Sequence, residues 1–367
     1  MLSVSRRLRR TPFSRRVEGC GVKAYTVYNH MLLPTVFESL EADYHHLKRH
    51  VQVWDVACER QVEIRGSDAA RLVQLLTPRN LSRMGPDQCF YAPMVDENGG
   101  MLNDPVILRP DAERYWISIA DSDVILWVKG VVNGMGLDCE VIEPDVSPLA
   151  VQGPQAEELM ARVFGSAVRE IRFFRYAKLP VMGSHFTVAR TGYSKQGGFE
   201  IYVEGGEHGE PLWDALFDAG KNLNVRAGGP NLIERIEGGL LSYGNDMTRE
   251  NNPFECGLDK FCDTTGSFDY FGRDALARVA ESGPVRRVRG VRIPGNPVPA
   301  CLEPWPVLAE GERAGQVTSA VWSPDLACNV SIGMMDRGHW RVGTPVSVAT
   351  PDGSREAEVV ALPFGTP

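Results

Sequence analysis

The segment from Thr191 to Tyr202 joins a glycine-punctuated loop to a short strand, and it constrains the fold more sharply than any other part of the chain. Side chains alternate along a strand, so one face carries Phe199, Ile201 and Val203. Glu200 and Tyr202 then project together on the other face, beside a loop whose glycines allow a flat ligand to approach closely. An ordinary amphipathic strand with a solvated face explains the same alternation equally well.

Composition places the chain among globular proteins and excludes several classes. Its 367 residues are 43% hydrophobic and 23% charged, enough for two or three domains. The net charge of -8 argues against a general nucleic-acid binder. None of the eight cysteines forms a Cys-x-x-Cys pair, so zinc ribbons, thioredoxin-type redox sites and cluster ligation lack support. Without a signal peptide, free thiols in a reducing cytoplasm are expected. No apolar stretch approaches the roughly 18 residues that span a bilayer, so no membrane partner is predicted.

The beginning of the chain is rich in arginine. The basic residues are Arg6, Arg7, Arg9, Arg10, Arg15 and Arg16. No apolar run follows them, so the segment is not a secretory signal. It fits an organellar transit peptide or an ordered arm lying on an acidic body, and we favour the arm.

Local patterns predict several elements. Residues 51–66 read as a strand, after which Ser67 can cap a helix. Pro154 suits the first position of another helix. Beyond a break near residues 281–284, strands separated by turns such as Pro351-Asp352-Gly353 predict a small all-β domain.

Common catalytic motifs are absent from the sequence. It contains no dinucleotide-binding glycine motif, P-loop, His-Glu-x-x-His or Gly-x-Ser-x-Gly. His46 and His50 lie one helical turn apart, but no third ligand is suggested. We therefore predict a solvated face there and no metal site.

Two further polar segments stand out. Tyr91 through Asp104 reads as a strand, a tight turn and a return strand, which would bring these two residues near each other, as in any ordinary hairpin. Arg235 lies on a helix that continues into Gly238 and Gly239. Glycine inside a helix is about 1 kcal/mol less favourable than alanine, which suggests close packing or a ligand. A surface salt bridge explains Arg235 taken alone.

Together these segments resemble the folate-binding aminomethyltransferase family, typified by the glycine-cleavage T protein. The resemblance spans nearly the whole chain, and the order in which the matching segments follow one another is specific to the family. The matching pieces are residues 99–104, 149–154, Thr191-Gly192-Tyr193, Gly198-Phe199-Glu200, Arg235-Ile236-Glu237, 243–246 and 271–276.

The resemblance implies the fold. It implies an α+β protein, a three-domain cloverleaf with ferredoxin-like α+β domains and a C-terminal all-β barrel or jelly roll. The implied domains are a folate-binding domain of residues 1–59 plus 148–240, a second α+β domain of 60–147 plus 241–283, and a β domain of 284–367.

Within the family, three N-terminal segments resemble the branch that demethylates dimethylsulfoniopropionate. They are residues 9–13, 24–34 and 52–56. This match makes the arginine-rich arm part of the mature fold. The family's glycine-cleavage members carry two consecutive aspartates where this chain has Asn103-Asp104. One carboxylate fewer weakens the case for aminomethyl transfer and agrees with moving a methyl group.

The resemblance also implies a site, with tetrahydrofolate in a central channel. Glu200 would accept hydrogen bonds from the pterin amino and ring N–H groups, and Asp104 would act catalytically beside the reacting N5 nitrogen. The other implied folate contacts are Tyr91, Tyr193, Tyr202 and Arg235, the last of which could also orient Glu200. Aromatic faces suit a sulfonium donor, and the candidates are Tyr25, Tyr28 and Trp54.

Other readings stay open. The donor could be a methylated amine, a betaine or the aminomethyl-lipoyl carrier of glycine cleavage. A non-catalytic folate-binding protein of the same fold is a further alternative, although the Lys-Gly-Cys-Tyr-type motif of the iron–sulfur-assembly relative is missing around Cys256 and Cys262. The expected partners are tetrahydrofolate and dimethylsulfoniopropionate in the cytoplasm, with a homodimer as the candidate assembly.

Overall fold

The structure is a computed structural model that describes residues 5–365. Residues 1–4 and 366–367, at the ends of the predicted first and third domains, lie outside the described residues. Over the described range, no helix is both long and apolar enough to cross a membrane. The α-helices are α1 (Ser14–Gly19), α2 (Leu40–Arg49), α3 (Ala69–Leu75), α4 (Val124–Met135), α5 (Ala156–Phe164), α6 (Gly209–Ala219), α7 (Leu232–Glu237) and α8 (Arg273–Ser282).

Within residues 5–365, the strands form two larger sheets, a closed barrel and two hairpins. In chain order they are β1 (Ala24–Tyr28), β2 (Met31–Val36), β3 (Gln52–Asp55), β4 (Gln61–Arg65), β5 (Cys89–Tyr91), β6 (Met94–Val95), β7 (Met101–Asn103), β8 (Val106–Asp111), β9 (Arg114–Ser118), β10 (Glu140–Ile142), β11 (Val146–Gln152), β12 (Tyr176–Val181), β13 (Ser184–Ala189), β14 (Gly198–Glu204), β15 (Arg226–Gly228), β16 (Arg286–Ile293), β17 (Trp305–Ala309), β18 (Glu312–Ser323), β19 (Cys328–Asp336), β20 (Pro345–Thr350) and β21 (Gly353–Val360). The predicted α+β fold with an all-β C-terminal barrel is confirmed.

The chain divides into two compact units. The first consists of the chain up to Val73, Ser82–Tyr91 and Pro105–Asn231, and the second of Gln74–Leu81, Ala92–Asp104 and the chain from Leu232. Both α+β sheets belong to the first unit and the barrel to the second. The three-part division inferred from the sequence, which separates the two sheets, stays a prediction.

A six-stranded sheet of order β12-β13-β14-β11-β3-β15 is central to the first unit. Its strands pair antiparallel except for β3 and β15. One face packs against α5 and α6 in an apolar core. That core includes Val53, Val151, Leu159, Phe199, Ile201, Val203 and Trp213. Burying such side chains contributes roughly 1.5–3 kcal/mol each, so this face anchors the sheet.

The opposite face of β14 is covered by a five-stranded sheet of order β10-β4-β9-β8-β5. Trp116 of β9 stacks on Tyr202, with ring centroids 6.0 Å apart and planes inclined by 30°. Only 6% of Glu200 and 0% of Tyr202 is exposed. The solvated-face interpretation of β14 is therefore wrong, because residues inserted between β3 and β11 build the second sheet over it.

The second unit contains the closed barrel, of strand order β16-β19-β18-β17-β20-β21. Its interior is apolar, with Val291, Val307 and Val348 fully buried. The predicted C-terminal hairpin is confirmed, since β20 pairs with β21 up to Thr350 opposite Gly353.

The predicted arm is ordered on an acidic surface over its described residues. Phe13 is fully buried in the core of the first unit. Thr11 donates a 2.5 Å hydrogen bond to Asp55. Arg16 pairs with Asp214 of α6 at 2.6 Å. The arm is thus part of the fold.

Two local predictions need correction early in the chain. Residues 51–66 form two strands, β3 and β4, rather than one. Ser67 does not begin the next helix: its hydroxyl donates to Asp138 at 2.6 Å, and α3 begins at Ala69. The Ser67 hydroxyl, which was predicted to cap the helix, is instead bonded to a residue far along the chain.

Two helix boundaries also differ from prediction. Pro154 lies in a turn closed by Ala156 N–H bonding to the Gly153 carbonyl, so α5 begins at Ala156. Helix α7 ends at Glu237, which places Gly238 and Gly239 after the helix. Gly239 has a φ of +65°, a conformation that glycine adopts without strain at helix ends. A bound ligand is therefore not needed to explain a glycine at position 239.

Candidate functional site

Glu200 occupies the middle of β14, between two small neighbours. Ala150 of β11 and Ala189 of β13 lie directly opposite it. The Thr191 hydroxyl donates a hydrogen bond to Oε2 of the carboxylate. Burial raises the pKa of Glu200, and the Thr191 hydrogen bond lowers it in part. A buried carboxylate of this kind is stabilised by further N–H donors.

The loop before β14 folds tightly onto Gln152. Gly192 has a φ of +155°, and a Cβ there would lie 2.1 Å from Gln152 Nε2. Gly198 has a φ of +154°, and its Cβ would lie 2.2 Å from the Val151 carbonyl oxygen. Packing within the protein therefore requires both glycines, whether or not a flat ligand also approaches the loop.

The other predicted folate residues of the first unit differ in exposure. Tyr202 is enclosed between the two sheets against Trp116. Tyr193, in the loop, and Tyr91, at the end of β5, are half-buried. Their contacts with folate, and the predicted nearness of Tyr91 to Asp104 in the other unit, stay predictions.

The three candidate donor residues belong to the first unit, and two of them share one apolar cluster. Trp54 of β3 is fully buried, and its indole N–H donates to Gln52 Oε1 at 2.8 Å. Tyr28 packs against the apolar cluster that contains Trp54 and Ala150. Tyr25, by contrast, is 37% exposed on the β1–β2 hairpin. Their contact with a donor stays a prediction.

Asp104 directly follows the predicted hairpin of the second unit. That hairpin is confirmed, with Met94 of β6 opposite Asn103 of β7. Asn103 is fully buried, and its side-chain oxygen accepts the Asp104 backbone N–H at 3.0 Å. The backbone of Asp104, the predicted catalytic residue, is thus tied to the Asn103 side chain.

Tyr243 supports the same hairpin, although the sequence did not single it out as a site residue. Its hydroxyl donates to the Met101 carbonyl at 2.9 Å. Burial raises the pKa of Tyr243 to about 12; Arg249 opposes the rise, while the carboxylates of Asp104 and Asp96 add to it. Tyr243 therefore lies close enough to Asp104 to sense its charge.

Arg235 forms a buried ion pair, so its interpretation as a surface salt bridge is wrong. It bonds to Asp246 at 2.8 Å, and the two side chains are 8% and 0% exposed. A second guanidinium nitrogen donates to Ser319 of β18 at 2.7 Å. Arg235 thus ties α7 to the barrel. Its predicted contact with folate and its predicted orienting of Glu200 stay predictions.

The histidine pair is not a solvated face. His46 is buried, and its Nε2 lies 2.8 Å from the Asn224 carbonyl oxygen. Burial lowers the pKa of His46 to about 4. Over residues 5–365, no group of three or more histidine, cysteine or acidic side chains is arranged to hold a metal ion.

Comparison with known proteins adds sequence and structural relatives. Residues 13–266 match the GCVT N-terminal domain, and residues 286–365 match the Glycine cleavage T-protein C-terminal barrel domain. The dimethylsulfoniopropionate demethylase of Ruegeria pomeroyi is 62% identical over 355 residues, 97% of each chain. An aminomethyltransferase of Symbiobacterium thermophilum is 32% identical over 90% of this chain and 91% of its own.

A solved structure has the same fold. The glycine cleavage system aminomethyltransferase T of Bartonella henselae matches with a TM-score of 0.86 over 97% of this chain and 98% of its own, at 22% identity.

Proposed function

This chain belongs to the glycine cleavage T-protein family, and we propose that it moves a methyl group from dimethylsulfoniopropionate to tetrahydrofolate. The products are methylmercaptopropionate and 5-methyltetrahydrofolate. The observation that carries this function is the 62% identity, over nearly the full length, to a dimethylsulfoniopropionate demethylase. Identity to the Symbiobacterium aminomethyltransferase is about half as high.

Glu200 is the group that recognises the pterin. Its carboxylate is buried, and burial raises its pKa. An ionised carboxylate is unfavourable in such a place unless donors surround it. The pterin amino and ring N–H groups supply such donors, and charge-assisted bonds of this type are among the strongest in proteins. The site therefore favours a ligand with adjacent N–H groups.

Asp104 handles the proton of the reaction. Tetrahydrofolate supplies a nucleophilic N5 nitrogen. The N5–CH3 bond forms as the S–CH3 bond breaks with its electron pair on sulfur, and the N5 proton leaves. Asp104 holds N5 and takes that proton. Because the positive sulfur already activates the methyl group, positioning contributes most, and alignment can be worth roughly 7–11 kcal/mol.

Trp54 and Tyr28 form the aromatic side of the donor site. Both residues belong to one apolar cluster. The faces of aromatic rings attract a sulfonium ion as they attract quaternary ammonium ions. Such contacts are worth roughly 0.5–2 kcal/mol. Tyr25, on the exposed hairpin, is the third candidate.

One assay tests the donor directly. The purified protein is supplied with tetrahydrofolate and either dimethylsulfoniopropionate, glycine betaine or an aminomethyl-lipoyl carrier, and folate products are followed by mass spectrometry. We expect 5-methyltetrahydrofolate with dimethylsulfoniopropionate alone. Product formed with a nitrogen donor only would overturn the assignment.

The proposal extends to assembly and location. We expect a homodimer, which sedimentation of the purified protein tests, and a cytoplasmic enzyme, which cell fractionation tests. A monomer would contradict the expected homodimer, and enrichment in another compartment would contradict the expected location. Neither result would bear on the proposed reaction.

A further inference from the structure

The Glu200 carboxylate is held in place by a single residue of the preceding loop. Thr191 is buried, and its hydroxyl donates to Oε2 of Glu200. On either side in the sheet, Ala150 and Ala189 present only methyl groups. The side chains next to Glu200 on the adjoining strands therefore do not steer the carboxylate, and the Thr191 hydroxyl does.

Gln152 fixes the loop at the point where Thr191 lies. It is fully buried at the end of β11, directly opposite Gly198. Its Nε2 donates to the carbonyl oxygens of Thr191 at 3.3 Å and Phe199 at 3.4 Å. One amide group thus holds the loop at both ends.

Ser194 completes the support. Its hydroxyl donates to Gln152 Oε1 at 2.7 Å. The glycines at 192 and 198 leave the room that the Gln152 amide occupies. Donor and acceptor atoms of Gln152 are therefore both engaged in shaping the segment between Thr191 and Glu200.

We infer that Thr191 and Gln152 are positioning residues for folate recognition: Gln152 holds the loop at Thr191, and Thr191 holds the Glu200 carboxylate in the orientation that meets the pterin N–H groups. This inference rests on the proposed function. Both residues act through the Glu200 carboxylate in this proposal, so their removal acts on folate affinity and spares the donor.

The first test compares three threonine variants. Thr191→Val keeps the branched shape and removes the hydroxyl, whereas Thr191→Ser keeps the hydroxyl. Thr187→Val makes the same change at another buried threonine, in β13 opposite Tyr202. We measure the Kd of tetrahydrofolate by calorimetry, the KM of dimethylsulfoniopropionate at saturating folate, and the melting temperature.

We expect Thr191→Val to raise the folate Kd at least tenfold and to leave the donor KM within threefold. Thr191→Ser recovers most of the affinity. Thr187→Val changes the folate Kd by less than threefold. A purely structural role would instead make the two valine variants alike, or would weaken both substrates together, and either result overturns the inference.

The second test follows the loop itself. Gln152→Met fills similar space without the amide, and Lys195 in the loop provides a trypsin site. We expect cleavage after Lys195 to become at least tenfold faster in Gln152→Met and to stay at the native rate in Thr191→Val, while both lose folate affinity. Unchanged cleavage in Gln152→Met overturns the role of Gln152.

The outcomes distinguish a failure of the positioning role from a failure of the proposed function. If the native protein binds tetrahydrofolate and Thr191→Val binds it equally well, the positioning role fails and the proposed function stands. If the native protein does not bind tetrahydrofolate, the proposed function itself fails and the inference fails with it. Should Thr191→Val not fold, the comparison of Thr191→Ala with Thr191→Ser decides by the same criteria.

Discussion

Trp54 and Glu200 lie on the same face of the six-stranded sheet, each directly opposite Ala150. Their strands flank β11, and neighbouring strands lie about 4.8 Å apart, so the two backbones are separated by about 10 Å. Directly opposed residues in antiparallel strands point to the same side. On this face, Ala150 therefore lies between the candidate donor residue and the candidate pterin residue.

The first prediction concerns that alanine. Ala150→Val adds bulk between Trp54 and Glu200, so we expect kcat/KM to fall at least tenfold, because both candidate subsites border the change. Overpacking a buried position is also unfavourable by roughly 1–3 kcal/mol. Steady-state kinetics measure the effect. Ala177→Val serves as control, since Ala177 packs on the opposite face of the same sheet. Equal activity in the two variants would contradict the arrangement.

The second prediction concerns the charge of Glu200. We expect Glu200→Gln to weaken tetrahydrofolate binding at least a hundredfold, because an amide presents one acceptor where the carboxylate presents two. Stability should not fall. The pKa of Glu200 is raised in the folded state, so the native protein loses stability as pH rises from the ordinary glutamate range through that raised pKa.

In the Glu200→Gln variant, stability does not change with pH through this group. Urea unfolding at several pH values, with a folate titration at neutral pH, measures both effects. A Glu200→Gln protein that is less stable at every pH, or that binds folate normally, would show that the carboxylate has a structural role instead.

The third prediction concerns Asp104. Asp104→Asn keeps the shape of the side chain and removes its capacity to take a proton. Proton transfer by a placed side chain is typically worth about 10²–10⁴ in rate. We expect kcat to fall within that range while the folate Kd rises by less. Rapid-quench measurement of a single turnover separates the two. A variant whose folate Kd rises while its kcat is unchanged would assign Asp104 to binding alone.

Local structure was predictable from the sequence, whereas the pairing of strands far apart in the chain was not. The alternation of Phe199, Glu200 and Ile201 correctly assigned each to its face of β14. The turn after Met94 was predictable too, because the Asp96 carboxylate accepts N–H groups from its own loop.

The remainder depends on residues far apart in the chain. The burial of Glu200 depends on the inserted five-stranded sheet. The placement of Trp54 on the same face as Glu200 depends on the register of β3 on β11. Nothing in a short sequence window encodes either. Gln152 and Thr191 could be found as motif residues, but their roles depend on how the loop folds back.

The fourth prediction concerns His46. Its Nε2–H donates to the Asn224 carbonyl, and Gln52 lies 3.3 Å from its Nδ1. Burial of the ring outweighs the Asn224 hydrogen bond and keeps the ring neutral in the folded protein. The pKa of His46 is lowered to about 4. The unfolded chain takes up a proton near pH 6.5, so this group's contribution to stability is lost as pH falls from about 6.5 to about 4.

His46→Gln keeps a donor for Asn224 and removes the titration. Asp55, whose pKa burial raises to about 6, acts in the opposite sense over an overlapping range. The measurement is therefore the difference in unfolding free energy between native protein and variant at pH 4.5 and 7. We expect the native protein to lose more on acidification. An identical loss in both would place the titrating group elsewhere.

The fifth prediction concerns the buried pair of the second unit. Arg235→Met leaves the Asp246 carboxylate buried without its cation, and breaking such a pair typically destabilises a protein by about 3–5 kcal/mol. Urea unfolding measures the loss. Arg169→Met is the matched control, because Arg169 pairs with Glu158 at the surface, where exposed ion pairs are worth about 0–1 kcal/mol. Losses of equal size would show that the buried Arg235–Asp246 pair stabilises the protein no more than a surface ion pair does.

The strand order of the six-stranded sheet also governs how the protein is made. Strand β3 is synthesised before both of its neighbours, β11 and β15, which come only after every strand of the five-stranded sheet. Until then both edges of β3 are open to pairing with other chains. Translation must therefore proceed beyond Gly228 before the segment that carries Trp54 is enclosed on both sides.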